Sequence, residues 1–280
     1  MREVHVNAIA EAVCDLYKEI CYIAGADVRC ALEKAQQAET GELAKQVLSD
    51  LLLNIDCARS DGIPLCQDTG MAVVFLTLGQ DVHLIGGDVH KAVDDGVRCA
   101  CEEGYLRASV LSPLERVKTK DNAPAILHID IMPGDKVRIE VAAKGFGSEN
   151  MSRMGLITPA GGKQAVEDFI VESVRLAGGN PCPPVIVGVG IGGTIEKAAY
   201  MAKHALLRPL DTDNADIELD EMEKRLLARI NTLGIGPQGL GGDTTALKVL
   251  IESFPTHIAG LPVVVNMQCH SARHKAREIG

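Results

Sequence analysis

Cys66, Gln67 and Asp68 put a soft sulfur ligand, an amide and a carboxylate on three consecutive residues of a 280-residue chain. They belong to the stretch Asp61-Gly62-Ile63-Pro64-Leu65-Cys66-Gln67-Asp68-Thr69-Gly70. Pro64 cannot continue a helix, and Gly62 and Gly70 permit sharp backbone excursions, so irregular chain presents the triplet between two regular elements. Loops held by a scaffold are where chemistry concentrates. A thiolate binds metal, and a carboxylate beside it can carry a proton.

The chain has nine cysteines. No apolar signal core opens it, and a reducing compartment argues against a disulfide framework. Six of the nine, Cys14, Cys21, Cys30, Cys57, Cys99 and Cys101, fall in helical stretches and read as small core hydrophobes. Cys66, Cys182 and Cys269 instead sit in turns beside Pro, Gln or His, at strand ends. Their long spacing matches no compact CxxC signature, so incidental loop thiols and metal ligands both remain open. Cys182 is followed by Pro, as is the last ligand of some iron-sulfur runs. Three thiolates around a cluster leave one iron without a protein ligand, the open position that Lewis-acid catalysis needs.

The elements that must position these groups follow from hydrophobic periodicity. Helical spacing covers Val4 to about Glu39, broken near Gly25 and Asp27, and again Gly41 to Ala58, which delivers the chain to the Cys66 loop. Met71 to Gly79 is a buried strand, and Asp88 caps a helix running to Glu103. Arg107 stands in a loop after that helix. Two alternating runs, Ala125–Met132 and Lys136–Ala143, flank Pro133-Gly134-Asp135 and predict a hairpin. The loop from Ala143 to Ser152, with Gly145 and Gly147, allows backbone to approach a ligand closely. A helix over Gly162–Ala177 leads through Pro181-Cys182-Pro183-Pro184 to a strand over Val185–Gly193. Helices over Thr194–Leu207 and Asp220–Leu233 follow. The stretch Thr245–Ser253 is strand-like or helical, and Leu261–Asn266 is a strand ahead of Cys269. The expected fold is mixed α/β, with a helical N-terminal segment and mixed sheets in two lobes, residues 1–110 and 111–280, around a cluster-binding cleft.

Gly188-Val189-Gly190-Ile191-Gly192-Gly193 satisfies G-x-G-x-x-G between strand and helix. Its sequel lacks the second strand ending in an acidic residue, since Leu207-Arg208-Pro209-Leu210-Asp211 is broken by proline. Tight strand-to-helix packing is the simpler reading of these glycines. The net charge of -10 and the absence of a basic run disfavour nucleic acid. With no apolar stretch long enough to span a bilayer, the sequence reads as soluble and cytoplasmic.

Cys66-Gln67-Asp68-Thr69-Gly70, the loop from Lys144 to Asn150, Asn180-Pro181-Cys182-Pro183-Pro184 with its glycine sequel, and Asn266-Met267-Gln268-Cys269-His270 together resemble the class I, iron-sulfur-dependent fumarases. The resemblance extends to the related L-tartrate dehydratases and covers nearly the whole chain. Such enzymes exist fused or as separate alpha and beta subunits, and the chain resembles an alpha subunit. The resemblance implies a 4Fe-4S cluster held by Cys66, Cys182 and Cys269, with Asp68 in an acid/base role. It implies substrate contacts from Gln67, Asp68, Arg107, the Gly145 backbone and His257. It also implies a beta subunit carrying the remaining catalytic residues in an alpha2beta2 assembly, and reversible hydration of fumarate to S-malate. L-tartrate dehydration and a purely electron-carrying iron-sulfur protein are the alternatives; the latter leaves Gln67, Asp68, Arg107 and His257 without a task.

Overall fold

A computed structural model describes residues 1–279, and the fold is mixed α/β. The chain divides into two compact units, each assembled from separated stretches. Met1–Gly25, Ile55–Phe146 and the chain from Arg273 onward make the first, and Ala26–Asn54 with Gly147–Ala272 make the second.

The first unit is built on β2 (Met71–Gly79), whose apolar run leaves almost no residue exposed on either face. β1 (Arg2–His5) pairs in parallel with β3 (Val82–Ile85) as a separate ribbon. α1 (Val6–Tyr22) and α4 (Val89–Glu103) bury Ile9, Leu16, Tyr17, Val93 and Val97 with Val74 and Leu76 of β2. Asp88 caps α4 as expected, its side chain accepting the Lys91 N–H.

β4 (Ile126–Met132) and β5 (Val137–Lys144) exist as expected but do not form a hairpin. β2 lies between them, parallel to β4 and antiparallel to β5, and β10 (His274–Ile279) pairs with the far side of β5. A strand this apolar is satisfied only by pairing along both edges, so the chain over Pro133-Gly134-Asp135 wraps its end instead of closing a turn. Backbone bonds from Gly79 to Lys136, Gln80 to Met132 and Asp81 to Gly134 fasten that wrap.

In the second unit β7 (Val185–Gly192) is central, with β8 (Ala246–Phe254) parallel and β9 (Pro262–Gln268) antiparallel to it. β6 (Arg153–Leu156) completes the sheet against β9. α6 (Gly162–Ala177) and α8 (Ile217–Asn231) cover one face, burying Val166, Ile170, Leu226 and Ile230 against Val187 and Val189. α8 starts earlier than its periodicity predicts because Asp216 caps it, accepting N–H groups from Glu218 and Leu219.

α7 (Ile195–Ala205) lies so close to β7 that a Cβ at Gly188 would stand 2.2 Å from the Ala202 carbonyl, and one at Gly190 2.0 Å from that of Ala198. The glycine motif is therefore used by helix-to-strand packing, the simpler of its two readings. α2 (Ala26–Ala38) and α3 (Glu42–Asp61) precede the Cys66 loop. No helix among the described residues is long and apolar enough to cross a membrane.

The helical cysteines divide in a way their periodicity does not show. Cys21 and Cys101 are buried thiols, as expected for core hydrophobes, whereas Cys30 is exposed and Cys57 half-exposed. Cys14 and Cys99 form a disulfide across α1 and α4, with Cα atoms 5.7 Å apart, which corrects their reading as simple core hydrophobes. Gly96 brings the two helices that close: a Cβ there would meet the Ala10 carbonyl at 2.5 Å.

Candidate active site

In the first unit the Cys66 loop is pinned at both ends. Where α3 stops, Gly62 takes a positive φ of 63° and the Ile63 N–H returns to the Ala58 carbonyl. Leu65 is buried and donates its N–H to the Cys21 carbonyl of α1 at 2.8 Å. Tyr17, buried in the same helix, gives its hydroxyl to the Thr69 carbonyl. Burial holds the Tyr17 phenol well above its ordinary range and pushes the Cys21 thiol up to about 11, so both act as neutral packing groups. Gly70 closes the loop at φ 74°, where a Cβ would stand 2.4 Å from the Lys144 carbonyl oxygen.

Between these anchors Cys66 Sγ accepts the Asp68 N–H at 3.4 Å. Asp68 uses both carboxylate oxygens: Oδ1 accepts the Gly70 N–H at 2.9 Å, and Oδ2 the Phe146 N–H at 2.8 Å. Its carbonyl accepts Nη2 of the buried Arg273 at 2.8 Å. A Cβ on Gly145 would stand 3.2 Å from Asp68 Oδ2, so a side chain there would crowd the carboxylate. Gln67 is exposed beside the sulfur. Thiol, amide, carboxylate and the Gly145 backbone are thus adjacent within one rigidly held loop system.

Arg107 is exposed, and its loop is organised by Asn122, which is fully buried at φ 57°. Asn122 Oδ1 accepts the Ser109 and Val110 N–H groups, while Nδ2 donates to the Arg107 carbonyl and to Cys101 Sγ. Every hydrogen-bonding site of the amide is used.

The second unit contains Cys182, Cys269 and His257. Cys182 stands in the left-handed region at φ 55°, a strained position for a non-glycine residue and one that loops retain where function demands it. Gln238 fixes the next residue, donating both its backbone and side-chain N–H to the Pro183 carbonyl. The His270 N–H reaches the Cys182 carbonyl at 3.4 Å, which ties the Cys182 turn to the residue after Cys269. Cys269 Sγ accepts from Gln268 Nε2 at 3.7 Å. His270 is partly exposed as a residue, but desolvation of its ring pushes its pKa down to about 4 and keeps it neutral. His257 is exposed in the loop after β8; its Nδ1 accepts the Ala259 N–H, leaving the proton on Nε2.

Cys66, Cys182 and Cys269 lie outside any disulfide, each reachable by solvent. Two of the sulfurs accept N–H donors, as thiolate ligands of iron do. By their chemistry alone, free thiols of this kind suit iron-sulfur ligation. Cys14, Cys99 and Glu103 also cluster tightly enough for a single ion, but there the two sulfurs are bonded to each other.

A carboxylate fixed beside a free thiol places a proton-carrying group next to a metal-binding one. Residues 10–278 match the family model described as Fumarate hydratase (Fumerase), and the chain belongs to that family. A Methanocaldococcus jannaschii chain, provisionally named as an L(+)-tartrate dehydratase alpha subunit, is 39% identical over 279 residues, spanning 97% of both chains. The L(+)-tartrate dehydratase alpha subunits of Escherichia coli strain K12 and Shigella sonnei are each 32% identical over 96% of this chain and 89% of theirs.

Proposed function

We propose that the chain is the alpha subunit of an iron-sulfur hydro-lyase that interconverts fumarate and S-malate together with a separate beta subunit in an alpha2beta2 assembly. The observation that carries this reading is the Asp68 carboxylate, held by Gly70 and Phe146 two residues from the Cys66 sulfur. Cys66, Cys182 and Cys269 would hold a 4Fe-4S cluster. When bound, that cluster supplies Lewis acidity for the hydroxyl gained or lost across the double bond.

The chain's own groups do the rest. Asp68 holds and returns a proton, its position set by two backbone donors. The Arg107 guanidinium offers a planar fork to one substrate carboxylate. Gln67, the Gly145 backbone and the His257 Nε2–H orient the dicarboxylate through hydrogen bonds.

A second reading, dehydration of L-tartrate, is favoured by the names of the relatives. Both reactions remove water from a four-carbon hydroxy-dicarboxylate, so one experiment separates them. The chain is reconstituted anaerobically with its beta subunit, analysed for iron and sulfide, and assayed on fumarate, S-malate and L-tartrate. Cluster content should collapse in Cys182→Ser and persist in Cys99→Ser. Full activity of the chain without a second protein would overturn the subunit reading, and turnover of L-tartrate alone would replace the substrate.

A further inference from the structure

β4 forms one edge of the first unit's sheet, and the two edges of that sheet are opposite in character. β10, at the other edge, carries Lys275, Arg277 and Glu278, ion-paired to Glu19, Asp15 and Lys136. Charges of this kind keep an edge from pairing with another chain. β4 reads Ile126-Leu127-His128-Ile129-Asp130-Ile131-Met132, with neither lysine nor proline. It exposes large apolar side chains on both faces: Ile129 and Ile131 on one, Ile126 and Met132 on the other, with Ile131 68% and Met132 56% exposed. A long apolar edge left in water is a template for strand addition.

The order of residues along β4 points to what pairs with it. A two-fold axis perpendicular to the sheet brings two copies edge to edge antiparallel, and it must pass through a residue so that facing side chains share a face. Centred on Ile129, that axis sets Leu127 opposite Ile131 of the second copy, Ile126 opposite Met132, and His128 opposite Asp130. Apolar residues then face apolar ones, and the two polar positions meet as complementary groups, twice by symmetry. Moving the axis to Asp130 would instead set two carboxylates face to face, which is unfavourable.

The geometry points to β4 as a self-pairing edge: two copies of this chain join antiparallel through Ile126–Met132 about a two-fold axis at Ile129, making one continuous sheet across the dimer. Nothing in this pairing depends on the hydro-lyase reading.

The test is sedimentation velocity on the full chain, supported by cross-linking. Wild type should sediment as a dimer. His128→Asp faces Asp130 of the second copy with a like charge at two places, and should weaken the dimer about tenfold. The exchange His128→Asp with Asp130→His restores both pairs only if the partner is the same strand reversed, and should restore the dimer. His128 stacks on Phe75, so cross-linking with His128 and Asp130 left intact tests the pairing independently of that variant's folding. Ile129→Cys lies on the axis and should give a covalent dimer when treated with a small disulfide oxidant, whereas Ile131→Cys, opposite Leu127, should not. A monomeric wild-type chain, an exchange variant no better than His128→Asp, or equal cross-linking from the two cysteine variants would each overturn the proposal.

Discussion

Asp68 and Phe146 are joined by a charge-assisted hydrogen bond, the carboxylate Oδ2 accepting the Phe146 backbone N–H at 2.8 Å from a position 78 residues earlier in the chain. That bond and the one to Gly70 hold both carboxylate oxygens at a fixed place beside the Cys66 sulfur. If Asp68 carries the proton, Asp68→Asn removes that group, and it turns an amide N–H₂ toward a donor it cannot bond. The reconstituted enzyme should lose about 10²- to 10⁴-fold in kcat. The chain should lose about 1–2 kcal/mol of stability from the unmade hydrogen bond. Steady-state kinetics well below the variant's Tm separate the two effects. A variant with wild-type kcat would remove Asp68 from the chemistry.

Gly70 allows no side chain, because φ 74° and the Lys144 carbonyl, 2.4 Å from where a Cβ would stand, both exclude one. Gly70→Ala should cost about 3 kcal/mol, strain and overlap acting together. Gly62 has a similar φ of 63° but open space around it, so Gly62→Ala should cost only about 1 kcal/mol. Urea unfolding of both variants checks the difference, and equal costs would mean that conformational strain alone governs the loop.

How far the sequence foretells this arrangement depends on whether a feature is local. β2, α4, α6 and β7 lie within a residue or two of where their hydrophobic periodicity puts them, because long apolar patterns decide element type. The short strands β1, β3, β6 and β10 escape that reading: they are polar or brief, and gain their pairing from distant segments. The β4–β5 hairpin fails for the same reason, since neighbours in sequence are displaced by a strand some 50 residues earlier with more apolar surface to bury. In the Cys66 loop the chemistry is visible from residue types alone. The groups that hold it, Tyr17 and Arg273, come from far along the chain and carry no local signature. The Cys14–Cys99 pairing depends on a helix crossing made close by Gly96, which periodicity does not report.

Acid should loosen the segment that carries Asn122. The Arg98 guanidinium beside Asp121 is the main cause holding that carboxyl below its ordinary range, with the Ala123 N–H assisting. A depressed folded-state pKa gives stability that is fully present above the unfolded carboxylate value of about 3.9 and is lost as pH falls through the folded value. Both partners are more than a third exposed, so after solvent screening the effect is at most about 0.5 kcal/mol. Asp121→Asn should lower Tm slightly at neutral pH and flatten its decline in acid. Thermal melts from neutral pH down to about pH 3 measure this, and an unchanged acid slope would show that the pair contributes nothing.

Asn122 offers the sharpest separation between holding a loop and binding a substrate. Its amide satisfies the Ser109 and Val110 N–H groups and the Arg107 carbonyl from a fully buried position. Asn122→Ala leaves those groups without a partner and should cost about 3 kcal/mol. Because Asn122 touches only the backbone of the Arg107 loop and Cys101, its loss should reach catalysis through the placement of that guanidinium. If Arg107 pairs with a substrate carboxylate, Asn122→Ala should raise KM for the dicarboxylate roughly as Arg107→Ala does, with kcat less affected. Arg107→Ala should leave stability within about 0.5 kcal/mol of wild type, since its side chain is exposed. An Asn122→Ala enzyme with wild-type KM despite its lower Tm would show that the loop's placement does not govern substrate binding, and would return Arg107 to the ordinary protein surface.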